Sequence, residues 1–83
     1  MNKLPSSQDI ERLRQKYPVG TMIRLNHMDD PFAPIPPGTV GKVTMVDDGG
    51  NIHMAWQNGR SLSLIEEADD FEVIAGPEGS AGA

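Results

Sequence analysis

The chain has no cysteine. That excludes a disulfide-stapled secreted scaffold and points to a reducing, cytoplasmic setting. No apolar run approaches the roughly 18 residues that span a bilayer. The opening stretch, MNKLPSSQDIERLRQ, has no apolar signal core, which argues against secretion. Large side chains are scarce: one Trp, one Tyr and two Phe in 83 residues. A chain this short buries only about 60–65% of its unfolded surface. One domain is the upper limit, with a stability margin of roughly 3–5 kcal/mol from a single small core.

Cations are scarce where the strands lie. Residues 1–19 hold Lys3, Arg12, Arg14 and Lys16 against Asp9 and Glu11, a balance of +2, whereas residues 20–83 hold Arg24, Lys42 and Arg60 against ten acids, a balance of −7. Nucleic-acid binding is dominated by phosphate neutralisation, and three cations on the strand region are too few for it. An acidic body confers solubility and can face a basic partner. Enzyme signatures are also missing. There is no phosphate-binding loop, and neither Ser61 nor Ser63 has a nucleophile-elbow context. So small a chain rarely holds a water-excluding pocket, so no enzymatic activity is expected.

What is present is a scaffold of short strands. Ser6 or Ser7 is placed to cap a helix, with Asp9 and Glu11 in its first turn and Ile10, Leu13 and Tyr17 on one face. Pro18 ends it. The pattern predicts a helix over 6–17 after a flexible N-terminus at 1–5. Strands are predicted over 21–27, 42–47, 51–57, 60–65 and 71–74. Ile23 and Leu25 alternate inward on the first. Ile52, Met54 and Trp56 do so on the third, and Leu62 and Leu64 on the fourth. Asp47-Asp48-Gly49-Gly50 and Asn58-Gly59 mark tight turns, the latter a strong two-residue hairpin signal. Residues 76–83 are small or polar and are expected to be a disordered tail. Five short strands at this size favour a small five-stranded barrel, closed or half-open, over 18–75, mainly β, preceded by one short α-helix.

The connection over 28–38 differs from the rest. It holds Pro31, Pro34, Pro36 and Pro37, which forbid a strand interior and favour extended geometry. Phe32 and Ile35 are expected to anchor it inward, with Asp29, Asp30 and Pro36 facing out. His27, Asp29 and Asp30 have ligand types that suit zinc or manganese. Nothing else at ligand spacing joins them, and Asp before Pro is a common turn initiator. Neither a metal nor a cofactor is expected. Trp56 has two readings. Beside Phe32 and Pro36-Pro37 it would form an aromatic ledge for peptides, but its alternation with Ile52 and Met54 favours the core.

Several of these stretches resemble a family of small domains of unknown function found on bacterial phages, plasmids and conjugative elements. The matching residues are Tyr17-Pro18-Val19-Gly20-Thr21, Arg24-Leu25, His27-Met28-Asp29-Asp30-Pro31, Ala33-Pro34-Ile35-Pro36-Pro37-Gly38-Thr39, Gly41-Lys42-Val43, Val46-Asp47-Asp48, Gly50-Asn51-Ile52-His53, Trp56 and Asn58-Gly59-Arg60-Ser61-Leu62. The resemblance implies an SH3-like barrel and carries no catalytic residues. Gly41-Lys42-Val43 is also faintly similar to KOW-type barrels, which bind nucleic acid through a basic surface missing here. The expected function is that of a non-enzymatic accessory module of a mobile element, binding a protein partner. The candidate binding residues are His27, Asp29, Asp30, Phe32, Pro34, Pro36, Pro37 and Trp56. The alternatives are a KOW-like nucleic-acid module, or an inhibitor that turns its acidic surface on a host defence protein. No membrane partner is expected.

Overall fold

A computed structural model describes residues 6–77. The flexible N-terminus expected over 1–5 and the tail beyond Pro77 lie outside the described residues. The order is α1 (Ser7–Lys16), β1 (Met22–His27), β2 (Val40–Val46), β3 (Ile52–Trp56) and β4 (Asp70–Ala75). Among the described residues no helix is long and apolar enough to cross a membrane.

The helix starts where its capping chemistry dictates. The Ser6 hydroxyl accepts the Asp9 N–H, and the Asp9 carboxylate accepts the Ser6 N–H, a reciprocal capping box. Arg14 and Lys16 sit in the last turn, where the helix dipole favours cations. Ile10, Leu13 and Tyr17 are buried as the three-and-four spacing requires.

The strands form one open antiparallel sheet in the order β3-β2-β1-β4. The protein is therefore mainly β with one short helix, and the expected closing strand is present as β4, paired to β1. The five strands expected from the sequence are not all formed. Residues 60–65 contribute a single bridge, Leu64 to Ile52, in place of a strand. The reason lies in Trp56. Its indole N–H donates to the Leu62 carbonyl at 2.8 Å, so that carbonyl faces a side chain and not a backbone ladder.

Of three register shifts in the sheet, one between Met22 and Ile23, two reset the alternation of buried side chains. One lies between Val43 and Met45 in β2, so Val43 and Val46 face inward while Thr44 and Met45 face out. The other lies between Leu25 and His27 in β1, which leaves Asn26 and His27 exposed and turns Met28 into the core. The core is a single cluster in which Ile23, Leu25, Ile35, Val43, Ile52 and Leu64 are fully enclosed. Trp56, only 3% exposed, lies across the open face of Gly41. A Cβ at Gly41 would stand 2.6 Å from Trp56 Cε3.

The Asn58-Gly59 turn is present but differs in type from the expected two-residue hairpin. Gly59 has φ +88°, while no described residue other than glycine has positive φ. Asn58 is therefore not left-handed, as a type I′ turn would require. The Gly59 N–H donates to Trp56 O, and the Trp56 N–H donates to Arg60 O, so the connection is a three-residue loop, Gln57-Asn58-Gly59.

Glu66 ties the helix to the turn before β4. It accepts from Arg12 Nη2 at 3.1 Å, Lys16 Nζ at 2.9 Å and the Tyr17 hydroxyl at 2.9 Å. Burial pushes the Glu66 carboxyl up, but the three donors outweigh it and leave the pKa at about 2, below its ordinary 4.5.

Gly41→Ala should lower stability by about 1–3 kcal/mol through overpacking against Trp56. Gly59→Ala, where nothing lies within 4 Å of the added Cβ, should cost only the left-handed backbone penalty of about 1–2 kcal/mol. Urea midpoints measure both, and Trp56 fluorescence should shift in the native state of the first variant alone. For Glu66, a folded pKa below the unfolded value means that its contribution is present above about pH 4.5 and is lost as pH falls through about 2. Wild-type stability should drop across that window. Glu66→Gln should be weaker at neutral pH and show a smaller drop.

Candidate interaction site

The loop over 28–38 is a built element. Met28 and Ile35 enter the core, and the Ile35 N–H donates to the Met28 sulfur at 3.4 Å. At the loop's far end the Gly38 N–H donates to Leu25 O and the Leu25 N–H to Thr39 O. The Thr39 hydroxyl donates to Pro36 O at 2.7 Å. At its near end the Asp29 N–H donates to Asp69 Oδ1 at 2.7 Å, while Asp69 Oδ2 accepts the Ile65 N–H. One carboxylate thus joins the loop to the turn before β4.

Arg60 holds the middle. Its guanidinium donates to Ala33 O at 2.6 Å and to Pro34 O at 3.3 Å. Proline supplies no N–H, so these carbonyls have few local partners, and an arginine fork satisfies both. Arg60 is itself positioned by Trp56, whose N–H donates to the Arg60 carbonyl. Beside Arg60 is an open cleft of about 600 Å³ lined by His53, Gly59, Arg60, Ser61, Leu62 and Ser63.

Asp30 shapes the tip. Its carboxylate accepts the Phe32 N–H at 2.8 Å and the Ala33 N–H at 3.4 Å, an Asx turn that swings residues 31–33 away from the body. Phe32 is consequently 91% exposed. This corrects the expectation that Phe32 anchors the loop inward. Met28 and Ile35 fill the space beneath the loop, and the Asp30 turn directs the ring outward.

The other candidate residues divide clearly. Asp29, Pro34, Pro36 and Pro37 are exposed, Asp30 is half-buried, and His27 is exposed at the end of β1 opposite Asp70. Trp56 does not join them. It is buried against Gly41, so the aromatic ledge with Phe32 and Pro36-Pro37 is not formed. Among the described residues no three His, Cys, Asp or Glu side chains come together as a metal-holding group. His53 Nε2 lies 2.9 Å from Asp47 Oδ2. Asp47 also accepts N–H groups of Gly49 and Asn51. His53 and these donors hold the Asp47 carboxyl well below its ordinary range. These bonds close the Asp47–Asn51 turn, a structural task.

Sequence reasoning missed Arg60 and Asp69. Neither carries a local signal of its role, because Arg60 reaches carbonyls 26 and 27 residues away and Asp69 an amide 40 residues away.

Removing the Arg60 fork should free the loop without unfolding the sheet. Arg60→Ala is expected to speed proteolytic cleavage and amide exchange within residues 28–38 severalfold, while exchange in β1 and β2 stays near wild type. Uniform acceleration across the sheet would instead make Arg60 a support of the whole fold.

No curated protein and no solved structure matches the chain. A family profile described as "Domain of unknown function (DUF4314)" matches residues 6–74, a span running from the helix cap through nearly all of β4. The chain belongs to the DUF4314 family.

Proposed function

We propose that this protein is a non-enzymatic protein-binding module whose working surface is the proline-rich loop over 28–38. The observation that carries this reading is the Arg60 fork on Ala33 O and Pro34 O together with the outward Phe32. A loop that served only as a connection would be shorter, since most connections are two to six residues. This one is longer and fastened at several points, yet it leaves an aromatic ring in water. Restraint before binding lowers the entropic cost of docking. The mobile-element setting implied by the resemblance suits an accessory role of this sort. We also read the sheet as the arc of an SH3-like barrel. Support comes from the order of the Leu64 segment, β3, β2, β1 and β4, a row of five antiparallel members.

The charge pattern favours protein over nucleic acid. The helix cations are engaged within the chain: Arg12 and Lys16 on Glu66, Arg14 on Val46 O and Asp48. Arg24 pairs with Glu72 across β1 and β4. Little positive charge is left to neutralise phosphates.

The test is fluorescence anisotropy with generic duplex DNA and single-stranded RNA, alongside capture from lysate of the encoding organism. No nucleic-acid binding is expected at physiological salt. Wild-type protein should retain a partner that Arg60→Ala retains severalfold less, at equal folded fraction. Tight, steeply salt-dependent nucleic-acid binding would overturn the reading, as would capture indifferent to Arg60.

A further inference from the structure

Phe32 is the most exposed large hydrophobic side chain among the described residues, 91% against 65% for Val19, the next. A phenyl ring in water forgoes the favourable transfer that burial would give. Three restraints nevertheless keep it out. The Asp30 carboxylate holds the Phe32 and Ala33 amides, Arg60 holds the carbonyls of the next two residues, and prolines at 31 and 34 stiffen both sides. A rigid aromatic on a fixed backbone is what interface anchors share.

The surroundings of the ring set the partner's charge. Asp29 is exposed, Asp30 is half-buried, and Asp69 is bonded to the Asp29 amide. Asp70 is exposed at the start of the neighbouring β4. The cation that touches the loop is Arg60, and its neutral carbonyl partners leave its charge in place. Asp29, Asp30 and Asp69 outnumber it three to one, so the charge gathered at the loop is net negative.

We propose that Phe32 is the anchor of the loop and that it inserts into an apolar pocket on a partner protein, a pocket rimmed by Lys or Arg side chains that face Asp29 and Asp30. This rests on the protein-binding reading above and adds the residue and the chemistry of the partner. A lipid surface would call for cations around the ring, and stacking on a nucleic-acid base would set these acids against phosphate. A second copy would bring another −5 chain against the acidic tip.

Photo-crosslinking from the tip tests it. The full chain is made with p-benzoylphenylalanine replacing Phe32, and separately replacing Pro36 or Val73, and is irradiated in the encoding organism. A protein adduct is expected from position 32, severalfold stronger than from position 73. Its attachment point should map to an apolar pocket bordered by Lys or Arg. Asp29→Asn, or added salt in lysate, should reduce its yield severalfold. Phe32→Ala should keep the wild-type urea midpoint, as befits an exposed ring. An adduct from position 32 to another copy, a lipid or a nucleic acid overturns the proposal, and so does a protein adduct indifferent to Asp29→Asn. A protein adduct from Pro36 but none from position 32 overturns the Phe32 anchor and leaves the loop reading intact. Adducts from neither loop position overturn both.

Discussion

The contact between Trp56 and Gly41 is the constraint on which the rest of this small fold depends. The indole lies where a side chain on Gly41 would be, and both of its polar connections then fix the chain that follows. The backbone N–H of Trp56 holds the Arg60 carbonyl, and the indole N–H holds the Leu62 carbonyl. With residues 60–62 placed, the Arg60 guanidinium reaches Ala33 O and Pro34 O. A packing event in the core thus propagates through three residues to the tip of the proline-rich loop. In a chain with one Trp, the largest side chain both fills the interior and positions the exposed surface.

A second anchor acts from the opposite side. Glu66 gathers Arg12, Lys16 and Tyr17 from the helix, and Asp69 in the same turn holds the Asp29 amide. Tyr17 also packs edge-on against Phe71 at 5.6 Å between ring centroids. The helix therefore braces the turn that steadies the start of the loop. Exposed ion pairs contribute little singly. Here three donors share one half-buried carboxylate, and the geometry they impose matters more than the energy of any one pair.

Much of the scaffold was legible in the sequence because its signals are local. Ser6 with Asp9 three residues on, and Ile10, Leu13 and Tyr17 on one face, define the helix without tertiary information. The alternation of Ile52, Met54 and Trp56 identifies both β3 and its buried face. The misreadings have non-local causes. Leu62 and Leu64 alternate as a strand would, but the indole of Trp56 takes the Leu62 carbonyl, and only Leu64 bridges. The register shifts at Thr44 and Asn26 depend on partner strands. Phe32 reads as an inward anchor because apolar residues usually are. Its outward course follows from the Asp30 turn and from Met28 and Ile35 already filling the space beneath. The candidate surface was therefore located by its prolines, while the restraints that make it rigid were invisible.

The central claim is that the loop is held as firmly as the strands while leaving its aromatic tip in water. Backbone amide relaxation measures this directly at Asp29, Asp30, Phe32, Ala33, Ile35 and Gly38. The account predicts order parameters near 0.85 at these amides, matching β1 and β2. Values below about 0.6 through residues 29–35, with the strands rigid, would show a flexible connection and contradict it.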